Sequence, residues 1–330
     1  MSNKHWSEVK ESGSVTGMNI MLGIHRWLGD TGYNTILFFV SVYYWCRNPL
    51  ARRASRQYQR RLTSAHPDVR LPALATLRHF MAFGIAMRDK VRALHGQIPL
   101  NDVQIVDHAT LRDAITSGRG GLILVSHLGN HEICQALGTL RPDLKISVLM
   151  HTRHAQRFNT LLSRSSGPRP DIIEVSEIGP ATAQRLGDRI NEGGFVVIAA
   201  DREPIGLTGR RRALEFMGHP ACFPEGAFWL AALLRCPTWF LLCARERSGY
   251  KVHFEPLADA GTLKRHERNA WIDQGMQAYA DRLEQFCCRY PLEWFNFYPF
   301  WAQRTPANEP DATSALQSAE STPPTTRHDP

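Results

Sequence analysis

The sequence has no run of about 20 apolar residues, which a membrane-spanning helix needs, and no Cys-x-x-Cys pair. Its seven cysteines are odd in number and lie mostly among apolar residues. This pattern argues against a disulfide framework or a zinc site and favours a reducing compartment. The first residues include Glu8 and Glu11 and lack a short apolar core, so no cleavable signal is expected.

Several catalytic motifs are also missing. His131–Glu132 is followed by Gln135 where a zinc-protease helix requires a second histidine. The Gly-x-Ser-x-Gly elbow of serine hydrolases is absent, as are the phosphate-binding Gly-x-x-x-x-Gly-Lys and the dinucleotide-binding Gly-x-Gly-x-x-Gly. The sequence therefore excludes these four common classes of site, and no metal or bound cofactor is expected.

The chain carries 39 Lys and Arg against 31 Asp and Glu, a net charge of +8. The segment from Pro306 is acidic, so the rest of the chain is more basic than this figure. Such a surface favours anionic partners. Because no aromatic and basic recognition motif is present and the arginines cluster beside an apolar helix, nucleic acid is not expected as a partner.

Residues 33–46 form a strongly apolar and aromatic segment, shorter than a membrane span. Six arginines follow within residues 47–61 without an acidic residue between them, which is typical of a segment facing an anionic leaflet. We therefore predict a membrane-associated helical region at residues 1–61, a catalytic domain at 62–304 and a disordered tail at 305–330. The alternative for residues 33–61 is a buried core helix followed by a solvated basic helix.

Short apolar segments alternate with helical patterns between residues 121 and 200. Strands are predicted at 121–125, 146–150, 172–175 and 194–200. Further strands are predicted at 238–244 and 250–254, before a long helix at 263–290. This order predicts an α/β domain with a mostly parallel sheet flanked by helices.

His127 ends the first predicted buried strand, and Glu132 follows five positions later. Ligands bind at the carboxyl ends of strands in open α/β sheets. A histidine oriented by a carboxylate is suited to remove a proton from a hydroxyl or amine. The alternative is a surface histidine followed by a glutamate that caps a helix.

The segment Ser126-His-Leu-Gly-Asn-His-Glu132 resembles the His-x-x-x-x-acid motif of bacterial lipid A late acyltransferases, within the lysophospholipid acyltransferase superfamily. The chain is most similar to the acyltransferases of aryl polyene and related lipid pathways. Further matching segments follow in order: Ala200-Asp-Arg202, Phe216-Met-Gly-His-Pro-Ala221, Phe223-Pro-Glu-Gly226, Leu230-Ala231 and Trp294-Phe-Asn-Phe-Tyr-Pro-Phe-Trp301.

This resemblance implies transfer of a fatty acyl group from an acyl carrier protein or coenzyme A thioester to a hydroxyl or amine of a lipid. It implies that His127 is the general base and that Glu132 orients it. Backbone N–H groups near Gly129 and Asn130 are candidates for stabilising the oxyanion. It further implies that Glu225 and Gly226 contact the acceptor, and that the protein lies on the cytoplasmic face of a bacterial inner membrane as a peripheral or monotopic protein.

Other candidate substrate-binding residues are less specific. Arg153 and Arg157 suit a phosphate, or else belong to a solvated helix face. Asp201 and Arg202 end another strand at the predicted active edge, where Asp201 has the alternative of a structural ion pair. The alternative function is a catalytically silent, membrane-bound partner of a lipid-assembly complex.

Overall fold

A computed structural model describes residues 15–131, 133–134, 144–150, 171–174, 179–202 and 210–302 of the chain. The helices are α1 (Val15–Arg47), α2 (Pro49–Ala65), α3 (Ala75–Leu94), α4 (His108–Thr116), α5 (Pro180–Asn191), α6 (Gly226–Leu234) and α7 (Arg268–Arg289). The strands are β1 (Val103–Ile105), β2 (Gly121–Val125), β3 (Ile146–Met150), β4 (Asp171–Glu174), β5 (Phe195–Ala199), β6 (Arg211–Phe216), β7 (His219–Pro224), β8 (Pro237–Glu246) and β9 (Gly249–Asp259).

Seven of these strands form one sheet in the order β1-β9-β8-β2-β5-β3-β4. Strands β8, β2, β5, β3 and β4 run parallel to one another, whereas β9 is antiparallel to β8 and pairs in parallel with β1. Strands β6 and β7 form a separate antiparallel hairpin. The predicted α/β domain with a mostly parallel sheet flanked by helices is confirmed.

The sheet is buried on both faces, as its continuous apolar strands require. On one face, Leu122 and Leu124 of β2 join the main core with residues from α2, α5, α6 and α7. On the other face, Ile123 and Val125 pack with a smaller cluster that includes Ala114 of α4. Alternate residues of β2 therefore fix it between two hydrophobic layers, which gives its carboxyl end a rigid position.

The N-terminal helices pack against this domain. Helix α1 breaks at Gly29, where φ is 63°. Beyond the break, the Tyr33 hydroxyl donates to the Gly84 carbonyl of α3 at 3.0 Å, and Leu37 is also buried against Gly84. The predicted boundary at residue 61 falls inside α2, whose Leu62 belongs to the main core.

None of the helices in the described part of the chain has the length and apolar character needed to cross a membrane.

Candidate active site

The site lies at the carboxyl edge of two neighbouring parallel strands. Strands β2 and β5 pair over their whole length, with Val125 opposite Ala199. The Ala200 amide donates to the Val125 carbonyl at 3.0 Å, which extends the pairing by one residue. His127 and Asp201 each follow two residues after the end of their strand, and the parallel register therefore brings them together.

His127 and Asp201 form a direct pair. The Nδ1 atom of His127 lies 2.7 Å from the Oδ1 atom of Asp201, and the His127 backbone amide donates to Oδ2 at 2.9 Å. The carboxylate is 1% exposed, whereas the imidazole is 34% exposed. Because a carboxylate only accepts hydrogen bonds, the proton of the neutral imidazole is on Nδ1, and Nε2 is free to accept another.

The surroundings of this pair favour a neutral His127 and an ionised Asp201, which is the protonation state that a general base requires. Burial opposes ionisation of Asp201, but the charge and hydrogen bonds of His127 and the charge of Arg202 hold its pKa well below the usual range. Burial, followed by the positive charge of Arg202, lowers the pKa of His127 below its ordinary value of 6.5, against the opposing effect of Asp201. At neutral pH the imidazole is therefore uncharged beside an ionised carboxylate.

A tryptophan provides another donor to the buried carboxylate. The Nε1 atom of Trp294 donates to Oδ2 of Asp201 at 3.2 Å, and the indole is 1% exposed. Asp201 thus accepts from a backbone amide, an imidazole and an indole. Three donors around one buried charge compensate for its lost hydration and fix its orientation.

The segment around Trp294 also supports the loop that carries His127. The Phe295 amide donates to the His127 carbonyl at 2.9 Å, and the Gly129 amide donates to the Glu293 carbonyl at 2.9 Å. The Trp294 carbonyl lies 2.9 Å from Nε2 of His79, which is fully buried in α3. The N-terminal helices are therefore connected to the site through buried polar contacts.

His79 is a second histidine of this network, with a structural position. Its Nδ1 atom lies 2.9 Å from the Ser55 hydroxyl of α2, and its ring stacks on Phe295. Burial lowers the pKa of His79 to about 4, against the hydrogen bond to the Trp294 carbonyl. The side chain is thus neutral at pH 7 and joins α2, α3 and residue 294.

The loop after His127 turns at Gly129, where φ is +71°. A Cβ atom at this position would lie 2.2 Å from the Cys243 carbonyl oxygen, so the backbone approach leaves room for glycine alone. The Gly129 amide is bound to Glu293, and the Asn130 amide donates to the Cys243 carbonyl at 2.7 Å. The expectation that these two amides are available for an oxyanion is therefore not met, because tertiary contacts occupy both.

Asn130 and Arg202 lie near the pair. The Asn130 side chain donates from Nδ2 to the Ala86 carbonyl at 2.9 Å and is 6% exposed. Its contact holds the loop against α3. Arg202 donates from Nη2 to the Phe295 carbonyl, and its guanidinium lies 5.2 Å from the Tyr298 ring. Since the charge of Arg202 affects the pKa values of both His127 and Asp201, it is the cation beside the site.

Glu225 has a different environment. One carboxylate oxygen accepts from Arg212 at 2.9 Å and the other from the Trp229 indole at 2.7 Å, and the side chain is 8% exposed. Gly226 begins α6 directly after it. The predicted acceptor-contacting role of these two residues stays a prediction, although both Glu225 oxygens already have protein donors.

Three predicted site residues lie outside the described part of the chain: Glu132, Arg153 and Arg157. Their roles stay predictions.

Sequence reasoning predicted Asp201 as a substrate-binding residue and missed its contact with His127. It placed Trp294 only at the start of a segment that resembles the acyltransferase family. Trp294 packs in the core, and its indole N–H also reaches Asp201. The sequence did indicate that His127 and Asp201 each follow a strand, which made a contact between them possible. It does not specify that these two strands are neighbours in the sheet.

No model of a known protein family matches this sequence. Over 219 residues, the chain is 23% identical to a phosphatidylinositol mannoside acyltransferase of Mycolicibacterium smegmatis. The match covers 63% of this chain and 64% of that protein, so the chain spans less than two thirds of its relative's length. The chain with the His127–Asp201 pair is therefore a distant relative of a lipid acyltransferase.

Proposed function

We propose that this protein transfers a fatty acyl group from a thioester to a hydroxyl or amine of a lipid acceptor, with His127 as the general base. The observation that carries the proposal is the contact between the partly exposed His127 and the buried Asp201 at the edge of the sheet. The similarity to a lipid acyltransferase supports the same reaction class. Acyl carrier protein and coenzyme A are the two candidate donors, and no resident metal or cofactor is required.

In the proposed reaction, Nε2 of His127 removes the proton from the acceptor while its oxygen or nitrogen attacks the thioester carbonyl carbon. The carbonyl becomes a tetrahedral oxyanion, which collapses and breaks the carbon–sulfur bond. The imidazolium then returns its proton to the departing thiolate, so the products are an ester or amide and a free thiol. Asp201 stabilises the imidazolium, and the positive charge of Arg202 favours the oxyanion.

Glu132 keeps a proposed role from the family resemblance. The Nδ1 atom, which an orienting carboxylate was expected to bind, already contacts Asp201. We therefore assign the orienting role to Asp201. Glu132 is a second acidic residue close to His127 in the sequence, and its contribution to catalysis is tested by its own variant. Similarity to lipid A late and aryl polyene acyltransferases supports a bacterial envelope lipid as the acceptor.

The test is thiol release from acyl-coenzyme A and from acyl carrier protein in the presence of bacterial lipid extract. His127→Ala should abolish release, whereas His219→Ala on the exposed β7 hairpin should leave it unchanged. Far-ultraviolet circular dichroism and thermal unfolding control for folding. Wild-type rates in His127→Ala would overturn the mechanism. A folded wild-type protein without turnover on either donor would favour the catalytically silent alternative.

We also propose that α1 and α2 bring the protein to the cytoplasmic face of a bacterial inner membrane as a peripheral or monotopic protein. Aromatic side chains of α1 are exposed, with Trp27 at 87%, Phe39 at 65% and Tyr43 at 58%. Exposed arginines follow in the chain: Arg47, Arg53, Arg56 and Arg60. Exposed aromatics beside cations suit the interface of an anionic leaflet.

This proposal is tested by sedimentation with vesicles that contain phosphatidylglycerol. Phe39→Asp with Tyr43→Asp should lower the bound fraction several-fold, because a charge in the interface opposes insertion. Leu233→Asp, at a 60% exposed position of α6, is the matched control. Deletion of residues 18–61 is a poorer test, because it also removes Tyr58, which packs in the main hydrophobic core. Equal binding by the double variant and the control would refute the proposal.

A further inference from the structure

A second feature lies close to the His127 loop. A cavity of about 690 Å³ opens between α3, the turn that joins β8 to β9, and the end of α7. Gly129, Asn130 and Phe295 form part of its wall. Because the Phe295 amide binds the His127 carbonyl, this wall is continuous with the loop that carries the proposed base.

Three arginines contribute to the cavity lining: Arg245, Arg247 and Arg289. Arg247 is exposed at the turn between β8 and β9. The side chains of Arg245 and Arg289 are 46% and 51% exposed. The Arg289 guanidinium is 3.9 Å from Glu246, at the outer limit of an ion pair. Three arginines along one concave surface suit a multivalent anion.

Three acids also line the cavity, but two have a closer cation elsewhere. Asp89 is 2.8 Å from the buried Arg88, whereas Arg245 is 3.4 Å away. Glu246 is 2.9 Å from Lys251. Neither Arg88 nor Lys251 belongs to the cavity wall.

The third acid, Glu293, is only partly ionised at pH 7. Burial raises its pKa to about 7, against the hydrogen bond and charge of Arg245. Its carboxylate accepts from the Arg245 backbone amide at 3.1 Å. After these pairings, the positive charges of the cavity exceed the negative ones.

We propose that this cavity binds a phosphate or pyrophosphate group of one of the two substrates. The inference rests on the proposed acyl transfer, since both candidate donors and phospholipid acceptors carry phosphate. The occupant is either the phosphate of the donor's pantetheine arm or the phosphate of the lipid acceptor. In both cases the ligand is a phosphate anion, whose oxygen atoms accept hydrogen bonds from guanidinium groups beside the His127 loop.

Isothermal titration of the full chain with inorganic pyrophosphate tests the binding. Arg247→Gln and Arg289→Gln should each weaken affinity about tenfold, which corresponds to about 1.4 kcal/mol for a lost charge-assisted contact. Arg247 lies in an exposed turn, so its variant should fold normally. Arg265→Gln changes an exposed arginine outside the cavity lining and should leave affinity unchanged. Absence of wild-type binding, or equal losses in all three variants, would overturn the site.

Competition then identifies the source of the phosphate. Displacement of pyrophosphate by coenzyme A assigns the cavity to the donor, and displacement by soluble dihexanoyl phosphatidylglycerol assigns it to the acceptor. If neither displaces pyrophosphate, the cavity is not a substrate site. His127→Ala should retain pyrophosphate binding, so failure of the proposed acyl transfer and failure of this site are measured separately.

Discussion

Replacement of Trp294 by phenylalanine isolates the indole donor of the Asp201 carboxylate. The matched control is Trp301→Phe, since both indoles pack against the same Phe216 ring at centroid distances of 5.4 and 5.8 Å. The Trp301 N–H donates to the neutral Phe216 carbonyl at 3.4 Å, whereas the Trp294 N–H donates to a buried charge at 3.2 Å. The two variants therefore lose the same indole atoms and differ in the acceptor, although Trp294 is 1% exposed whereas Trp301 is only partly buried and its ring lies 4.6 Å from the Arg61 guanidinium.

A hydrogen bond to a charged group contributes about 1.5–3 kcal/mol, against about 0.5–1.5 kcal/mol for a neutral pair. Trp294→Phe should therefore lower the free energy of unfolding by about 1–1.5 kcal/mol more than Trp301→Phe. The substitution also removes the positive end of the indole N–H dipole from the His127–Asp201 pair. Because that dipole disfavours the imidazolium, its loss should raise the pKa of His127.

The assay is the pH dependence of kcat/KM in the full chain, with the His127 ring protons followed by nuclear magnetic resonance. A base is active when neutral, so activity is lost as pH falls through its pKa, and a raised pKa moves this acidic limb to higher pH. We expect the shift in Trp294→Phe and not in Trp301→Phe. An unchanged limb, or the same shift in both variants, would refute a positioning role for Trp294.

Three further outcomes follow from the geometry. Asp201→Asn should lower kcat/KM by a factor on the order of 10²–10⁴ while the fold persists, because an amide no longer fixes the His127 tautomer. Glu132→Gln, measured in the same assay, reports whether Glu132 contributes to catalysis. Gly129→Ala should lower the free energy of unfolding by about 1–3 kcal/mol in denaturant titrations, because φ at this position is +71° and the new Cβ would collide with a carbonyl oxygen. The control Gly187→Ala, inside α5, should be neutral or stabilising. Acid should destabilise the fold between pH 6.5 and 4, because burial lowers the pKa of both His79 and His253 to about 4 and the unfolded chain then binds more protons, with a loss of about 1–2 kcal/mol from each by pH 5. Because the raised pKa of Glu293 has the opposite effect over this range, the measurement is made in Glu293→Gln, where a flat stability profile would contradict the prediction.

Much of the fold is encoded locally. The segments predicted as strands at 121–125 and 146–150 coincide with β2 and β3, because short apolar runs bounded by turn residues can only be buried. The cap of α4 is equally local, since the Asp107 carboxylate accepts from the amides of Ala109 and Thr110, two and three residues further on. These elements depend on residues that are close in the sequence, so composition and spacing are enough to predict them.

The elements that sequence reasoning missed depend on distant partners. Strand β1 has three residues, too few for a periodic pattern, and exists through its pairing with β9. The hairpin of β6 and β7 turns at Met217 and Gly218, both with positive φ. A methionine at such a position gives no turn signal, because non-glycine residues rarely adopt that conformation.

For the site, the sequence by itself determined that a histidine and an aspartate each end a buried strand on the same edge of a parallel sheet. It also supplied the resemblance from which acyl transfer was inferred. Only the tertiary structure decided that β2 and β5 are neighbours, that Asp201 binds Nδ1 of His127, and that Trp294 supplies a further donor. Strand order and long-range hydrogen bonds result from the packing of the whole chain, and no local pattern of residues specifies them.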